Sequence, residues 1–327
     1  MSKMKLGVSL FSYGTEYARQ QYDFEECVKQ AAMAGATGYE IVGSQMIPSY
    51  PNVSDEFLKL VEDLRVKYGI GPEGYGASND KGVFWDRNLN DEELLAGAIL
   101  DLKAANKLGC KVMRAQYMLG PAAFERLAPY AEFYDVKVGI EIHNPDTPSS
   151  PHIQEYLNII KKTGSKHLGF VQDFGFLAVA PNKPKWDRAI ALGVKEEHLV
   201  MAADLRYAGV ALSEAMAKLQ EAGAHPAINE SLQGMYGYVQ FRPKEVLPEL
   251  LQEMKDILPY TFEMHTKFHY LSEDCVEPSI PYKEILEFLK DTEFDGYLMS
   301  EYEDEAYCGG ELFTKRHLEM ERRILGL

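Results

Sequence analysis

The sequence predicts the α/β class, as a single (β/α)8 barrel over residues 1–327, and three observations carry that expectation. Short β-rich runs alternate with helix-period runs from one end to the other, which implies a parallel sheet with helical crossovers. Eight such strand runs can be placed. The chain length of 327 residues falls in the range that barrels of this kind occupy as one domain.

The first strand is read over 6–12, and the helix behind it opens at Asp23 and Glu26, spaced as a capping box, with Phe24, Val28 and Ala31 on its apolar face. The second strand spans 38–44 and its helix about 55–68. The third spans 71–78, followed by a loop with Trp85 and a helix that Asn90 and Glu93 open and Gly109 ends. Strand four covers 110–118 with a helix over 122–134, and strand five covers 136–143 with a helix over 152–163. Strands six, seven and eight follow at 167–175, 260–268 and 296–303, and a helix over 314–325 closes the ring. One interval is too long for a crossover. Residues 243–257 suffice for the helix between strands six and seven, so 177–242 reads as a helical insertion, which in this fold emerges at the C-terminal face where ligands bind. A lid or a subunit contact is its functional reading; a decoration without chemistry is the other.

Hydrophobic residues make up 46% and aromatics 11%, ample for a large core, and no run approaches the roughly 18 apolar residues of a membrane span. The opening MSKMKLGVSLFSYG enters a strand pattern without the apolar stretch of a signal peptide. Cys27, Cys110, Cys275 and Cys308 lie far apart with no CxxC spacing. A cytoplasmic protein with no membrane association is expected. Against 34 basic side chains stand 50 acidic ones, a formal charge of −16, which repels phosphate backbones and anionic lipid and argues against nucleic acid as a partner.

In a parallel barrel the C-terminal ends of the strands surround one cavity, so polar residues distant in sequence can converge there. Strand five ends in Ile-Glu-Ile-His, placing Glu141 and His143 on one face. Strand six carries Asp173, strand seven His265 and strand eight Glu301. Singly, each would read as a helix cap or a surface acid. Delivered by four consecutive strands, Glu141, Asp173, His265 and Glu301 form a set of three carboxylates and one imidazole, suited to one divalent ion: Mn2+, Mg2+ or Co2+, with Zn2+ also compatible. Lys267 shares the face of His265, where it binds a sugar oxygen or pairs with Glu263 or Glu303. Arg114 and Gln116 share a face of strand four and are read as substrate contacts, as is Glu73 on strand three. Phe11, Tyr13, Trp85 and Tyr302 are candidates for stacking on a ring, or simple packing. His152, His167, His198, His225, His269 and His317 show no partner pattern and read as surface or loop residues.

At these positions the sequence resembles the xylose isomerase-like superfamily of sugar isomerases and epimerases, TIM barrels whose tagatose epimerase-like members bind one metal with Glu, Asp, His and Glu from strands five to eight. The resemblance spans the barrel and carries to Glu141, Asp173, His265 and Glu301; in the epimerases the two glutamates also move the substrate proton. Two departures stand out. Phe176 occupies the position, three after the Asp, where those enzymes usually have a substrate-contacting His, and they lack the excursion after strand six. With His143 beside Glu141, both departures look like the metal-binding alpha subunit of bacterial C-glycoside deglycosidases. That resemblance implies a lyase acting on the carbon–carbon glycosidic bond of 3-keto C-glycosides, a small beta subunit in a hetero-oligomer, and His143 as the catalytic base.

The implied chemistry is coherent. A ketone at C3 acidifies the hydrogen on C2, a metal stabilises the enolate charge, and histidine titrates near neutrality, as such a base should. The enolate then expels the aglycone from C1 by β-elimination, and an acid protonates the leaving carbon. The alternative is a ketose 3-epimerase or sugar isomerase acting on free monosaccharides. An abasic-site endonuclease shares the barrel but needs more histidine ligands and a basic track, which the charge opposes. A non-catalytic sugar-binding subunit with a structural metal is the third rival.

Overall fold

Eight strands form in order and close on themselves: β1 (Lys5–Ser9), β2 (Gly38–Val42), β3 (Pro72–Ala77), β4 (Val112–Ala115), β5 (Lys137–Ile142), β6 (Leu168–Asp173), β7 (Thr261–Phe268) and β8 (Tyr297–Tyr302). Each pairs parallel with its neighbours, and β8 returns to β1 through Leu6 opposite Leu298. The structure is a computed structural model that describes residues 4–303 and 309–327, so Cys308 lies outside the described residues. Closure removes the sheet edges, and helices cover the outside. The strands are therefore buried on both faces and read as nearly continuous apolar runs; every residue of β2, β4 and β6 is buried.

The outer layer is α1 (Phe24–Met33), α2 (Asp55–Tyr68), α3 (Asp91–Leu108), α4 (Pro121–Tyr134) and α5 (Pro151–Thr163), then α6 (Lys183–Ala191), α7 (Glu196–Tyr207), α8 (Leu212–Glu221) and α9 (Ile228–Met235) between β6 and β7. The ring closes with α10 (Leu247–Asp256), α11 (Tyr282–Lys290) and α12 (Gly310–Leu325). α3 starts with the full capping box: the Asn90 side chain accepts from Glu93 N and the Glu93 carboxylate accepts from Asn90 N, both at 3.0 Å. At α1 only half of the expected box forms. Asp23 accepts from Glu26 N at 2.8 Å, while the Glu26 carboxylate turns to Lys29 and Gln30 instead. Among the described residues no helix is long and apolar enough to cross a membrane.

Several strands end earlier than their apolar runs suggest. β1, β4 and β6 give way to 3-10 turns at Leu10–Tyr13, Tyr117–Leu119 and Phe174–Leu177. At the C-terminal rim the chain must turn outward to reach the helix layer, and apolar residues there pack beneath the loops, so hydrophobicity alone does not mark the strand end. Phe11, Gln116 and His143 consequently sit just beyond their strands. This rim is where the site lies.

Helices α6–α9 form a lobe with buried contacts of its own, including Leu199, Ala202, Ala215, Leu219 and Leu232. Burying a leucine side chain stabilises by about 1.5–3 kcal/mol, so three leucines, with two alanines that let the helices approach closely, hold the lobe together locally. The lobe returns to the barrel close to where it leaves: Arg242 N donates to Ala178 O at 3.0 Å.

Candidate metal centre and active site

On β7 alternate residues face the barrel interior, so Glu263, His265 and Lys267 stand one above another, all buried. His265 Nδ1 lies 3.0 Å from Glu141 Oε1 and 3.2 Å from Glu301 Oε2. Lys267 Nζ lies 2.7 Å from Asp173 Oδ2 and 3.2 Å from Glu303 Oε1. Arg114 Nη1 lies 3.8 Å from Glu141 Oε2. One ligand atom each from Glu141, Asp173, His265 and Glu301 falls within 4.8 Å of all the others. The structure thus brings the four expected ligands to one point, with Lys267 and Arg114 beside them.

This donor set fits a divalent ion. Asp173 Oδ2 and Glu301 Oε2 are buried without a hydrogen bond, each with only Lys267 Nζ or the His265 ring as an ion-pair neighbour among the described residues. Buried polar atoms are normally paired, and a cation is the ligand that satisfies several such acceptors at a single point. The other oxygen of Asp173 is committed elsewhere: Oδ1 accepts from Gly175 N at 2.6 Å. A Cβ on Gly175 would meet that same oxygen at 2.7 Å, so only glycine allows this approach.

The electrostatics separate the carboxylates. Burial works against an ionised Glu141, but Arg114, His265 and His143 outweigh it and hold the carboxyl well below its ordinary range. Burial pushes Asp173 up, against the pull of Lys267, and Glu301 and Glu141 add to the rise. Burial also opposes an imidazolium at His265, yet Glu301 and Glu40 raise it well above the ordinary histidine value. A proton on His265 supplies countercharge between these carboxylates, and a cation held by the same atoms would supply it instead.

On its other edge His265 meets residues that sequence reasoning missed. Nε2 lies 3.2 Å from Glu40 Oε2, and Ser9 Oγ donates to Glu40 Oε1 at 2.7 Å. Because a carboxylate only accepts, Nε2 donates to Glu40, and the Nδ1 edge is turned to the ligand cluster, the orientation that a second carboxylate gives a metal-binding histidine. Glu40 and Glu263 form a second trio with His265 whose ligand atoms also lie within 4.8 Å of one another. Gly74 and Gly76 on β3 make space for these groups: a Cβ at Gly74 would stand 3.0 Å from Glu40, and one at Gly76 3.1 Å from the Arg114 guanidinium. A glutamate inside an otherwise apolar, doubly buried strand was the available signal for Glu40.

His143, just past β5, is half-buried. It follows Glu141 by two residues and is near enough to Glu141, Asp173 and Glu303 for a charge on its ring to lower all three. Its Nδ1 lies 2.7 Å from the carbonyl oxygen of Asn144. A carbonyl only accepts, so Nδ1 donates and the neutral ring keeps its lone pair on Nε2, which makes no hydrogen bond among the described residues.

A cavity of about 1510 Å³ opens on the rim between the residues after β1 and the α6–α9 lobe, with Phe11, Lys185, Tyr238, His269, Tyr302 and Glu303 among its walls. Neither the four ligands nor His143 is among the residues that line it. Glu303 links the cavity to the ligands through Lys267.

Several expectations are corrected. Glu73 lies near the start of β3, beside Gly38 and Tyr297 at the opposite end of the barrel, so it is remote from the mouth. Gln116 does not continue the face of Arg114 within β4, because the strand stops at Ala115. Lys267 pairs with Glu303 and Asp173 rather than Glu263. Tyr13 is fully buried and Trp85 is 98% exposed on the loop after β3, so neither lines the cavity, whereas Phe11 and Tyr302 do. His198, His269 and His317 are buried, not surface residues; His269 donates from Nδ1 to Glu303 O at 2.8 Å and His317 stacks on Phe268 at 4.1 Å between ring centres. An isolated histidine in a sequence does not reveal whether a ring or a hydroxyl waits for it across the core.

Comparison with known proteins agrees with this architecture. Residues 28–323 match the family described as xylose isomerase-like TIM barrel. The chain is 30% identical to a C-glycoside deglycosidase alpha subunit of Arthrobacter globiformis, over 99% of this chain and 93% of that one. It is 31% identical to a 3'-dehydrocarminate deglycosidase alpha subunit of a Microbacterium species, over 91% of this chain and 88% of that one. Among solved structures, an Escherichia coli 3-keto-D-glucoside 4-epimerase superposes with a TM-score of 0.57 at 12% identity, over 98% of this chain and 99% of that one, a likeness of fold. The chain therefore belongs to the xylose isomerase-like TIM-barrel family and, within it, groups with the C-glycoside deglycosidase alpha subunits.

Proposed function

We propose that this chain is the metal-dependent, catalytic subunit of a lyase that cleaves the carbon–carbon glycosidic bond of 3-keto C-glycosides. The observation that carries the reading is His143, a histidine with an unengaged Nε2 standing beside a buried cluster of three carboxylates and an imidazole. Glu141, Asp173, His265 and Glu301 hold one divalent ion, Mn2+ in this reading, which when bound supplies Lewis-acid stabilisation of the negative charge that develops beside a ketone.

The chain's own residues do the rest. His143 Nε2 takes the proton from C2, adjacent to the C3 ketone. The electron pair left on C2 forms the C1–C2 double bond as the bond from C1 to the aglycone carbon breaks, and that carbon takes up one proton, so the sugar and the aglycone part without net redox change. Arg114 helps to keep Glu141 ionised in a dry site, and Lys267 opposes the rise that burial gives Asp173. Gln116, whose Oε1 is buried without a partner, is the polar group at the end of β4 that can hold a sugar hydroxyl.

The cavity supports a glycoside over a free monosaccharide. Pockets that enclose drug-sized ligands run to roughly 300–1,000 Å³; the cavity of about 1510 Å³, which Glu303 lines but His143 and the four ligands do not, is in this reading where a bulky aglycone sits while the sugar reaches past Glu303 to the cluster. Phe176, fully buried, offers no imidazole where the epimerases have one. The relatives are named alpha subunits, which supports a small beta subunit as partner; the exposed tip formed by Val83, Phe84 and Trp85 on the ligand-side rim is the kind of apolar patch that a partner covers.

The test is co-production with candidate small partner subunits, followed by assay on 3-keto C-glycosides and on free ketoses. Release of the aglycone by the complex is expected. Turnover of ketoses by the isolated chain, with none of the C-glycoside by the complex, would overturn the reading in favour of a ketose 3-epimerase or sugar isomerase.

A further inference from the structure

The segment through which the α6–α9 lobe returns to the barrel does more than connect. Gln240 and Arg242 reach across to the loop that carries His143. Arg242 Nη1 donates to Asn144 Oδ1 at 3.3 Å and to Phe176 O at 3.0 Å. Its Nη2 donates to Pro145 O at 2.9 Å. Gln240 Nε2 donates to the same Pro145 oxygen at 2.9 Å, and Gln240 O accepts from Asn144 Nδ2 at 3.0 Å. Asn144 Nδ2 also donates to Gly175 O at 2.7 Å, tying the loop to the residue that holds Asp173. Gln240 is itself fixed by Arg206 of α7, whose Nη2 donates to Gln240 Oε1 at 2.8 Å.

These bonds converge on one peptide group. The carbonyl of Asn144 accepts from His143 Nδ1, and the direction of that carbonyl follows from where Asn144 and Pro145 are pinned on either side of it. Arg242 reaches these three oxygens from two nitrogens held in one rigid plane, a geometry that an ammonium, with all its donors on a single rotating nitrogen, does not reproduce. We infer that Arg242, with Gln240, is a positioning residue that fixes the orientation and tautomer of His143, so that the excursion between β6 and β7 serves the chemistry through its exit segment. The inference rests on the reading of His143 as the base.

The experiment uses the full chain, alone for spectroscopy and with its partner subunit for kinetics. In ¹⁵N spectra of the isolated chain, the His143 ring is assigned by comparison with His143→Gln; the wild type is expected to show the tautomer protonated at Nδ1. In Arg242→Ala that ring is expected to become a mixture of tautomers, and kcat to fall about 10–100-fold, as for groups that orient a reacting residue, with KM within about threefold and the bound metal unchanged. Guanidinium ion added to Arg242→Ala is expected to restore part of kcat, whereas Arg242→Lys should not recover it. If Arg242→Ala does not fold, Gln240→Ala removes one donor and is expected to lower kcat by about two- to tenfold, the worth of one neutral hydrogen bond. An unchanged His143 spectrum with unchanged kcat overturns the clamp. Absence of C-glycoside turnover by the wild-type complex overturns the proposed function instead and leaves the spectroscopic result standing.

Discussion

The two edges of the His265 ring face two acidic groups that look alike in composition and differ in everything else. On the Nδ1 side, Glu141, Asp173 and Glu301 are balanced by Arg114 and Lys267, with Asp173 Oδ2 and Glu301 Oε2 lacking hydrogen bonds. On the Nε2 side, Glu40 and Glu263 are sealed in the barrel, 0% and 1% exposed. Glu40 is held ionised against burial by His265, Arg114 and the Ser9 hydroxyl, while burial, then the charge of Glu40, pushes Glu263 up to about 8. Like charges cannot both persist in a closed site, so one of the inner pair keeps its proton. In the proposed function the outer cluster receives a cation, and the inner pair aims the ring that would bind it.

This contrast predicts very unequal costs. Asp173→Asn removes a charged ligand whose other oxygen is already committed to Gly175, and metal content measured by elemental analysis should fall with affinity weakened by more than about 100-fold, beyond the range for groups that merely orient a ligand; turnover should vanish with it. His143→Ala, by contrast, should leave the metal in place and reduce kcat by about 10²–10⁴-fold, the contribution of a positioned general base. A variant that loses both metal and turnover would make His143 part of the binding site rather than the base, and unchanged turnover would remove it from the chemistry altogether.

The outer cluster was legible in the sequence because the barrel makes it so. Once eight strands are counted, residues at the ends of strands five to eight must converge, and Glu141, Asp173, His265 and Glu301 follow from position alone. The inner pair was not, since Glu40 lies in the middle of its strand and nothing in a one-dimensional pattern says which neighbour's ring it meets. The same limit hid Arg242, whose three acceptors lie on Asn144, Pro145 and Phe176, up to 98 residues away. The helical content between β6 and β7 was readable from periodicity; that its last residues grip the His143 loop was not, because a loop's hydrogen bonds leave no period. The early strand ends had the same origin: rim residues are apolar whether they pair or turn.

The inner pair gives the smaller effects and the sharper test. Glu40→Gln keeps the shape but weakens the acceptor of the His265 Nε2 proton, and metal affinity should drop about 10–100-fold, with kcat per bound metal nearly preserved. Glu263→Gln should do least of all. With its carboxyl pushed up to about 8, Glu263 is already neutral at pH 7, and glutamine reproduces its shape and lack of charge; metal affinity should stay within about threefold, well short of an oriented neighbour's share. The pH dependence separates the two. The folded state keeps the Glu263 proton that the unfolded chain gives up near 4.5, so between pH 4.5 and 8 the folded protein binds more protons and stability falls as pH rises through that window. Glutamine cannot ionise, and Glu263→Gln should therefore gain stability relative to the parent across that same interval in melts of the metal-free protein, levelling off above pH 8. A Glu40→Gln variant that behaved this way, and a Glu263→Gln variant that lost metal, would reverse the assignment of which inner carboxylate carries the charge.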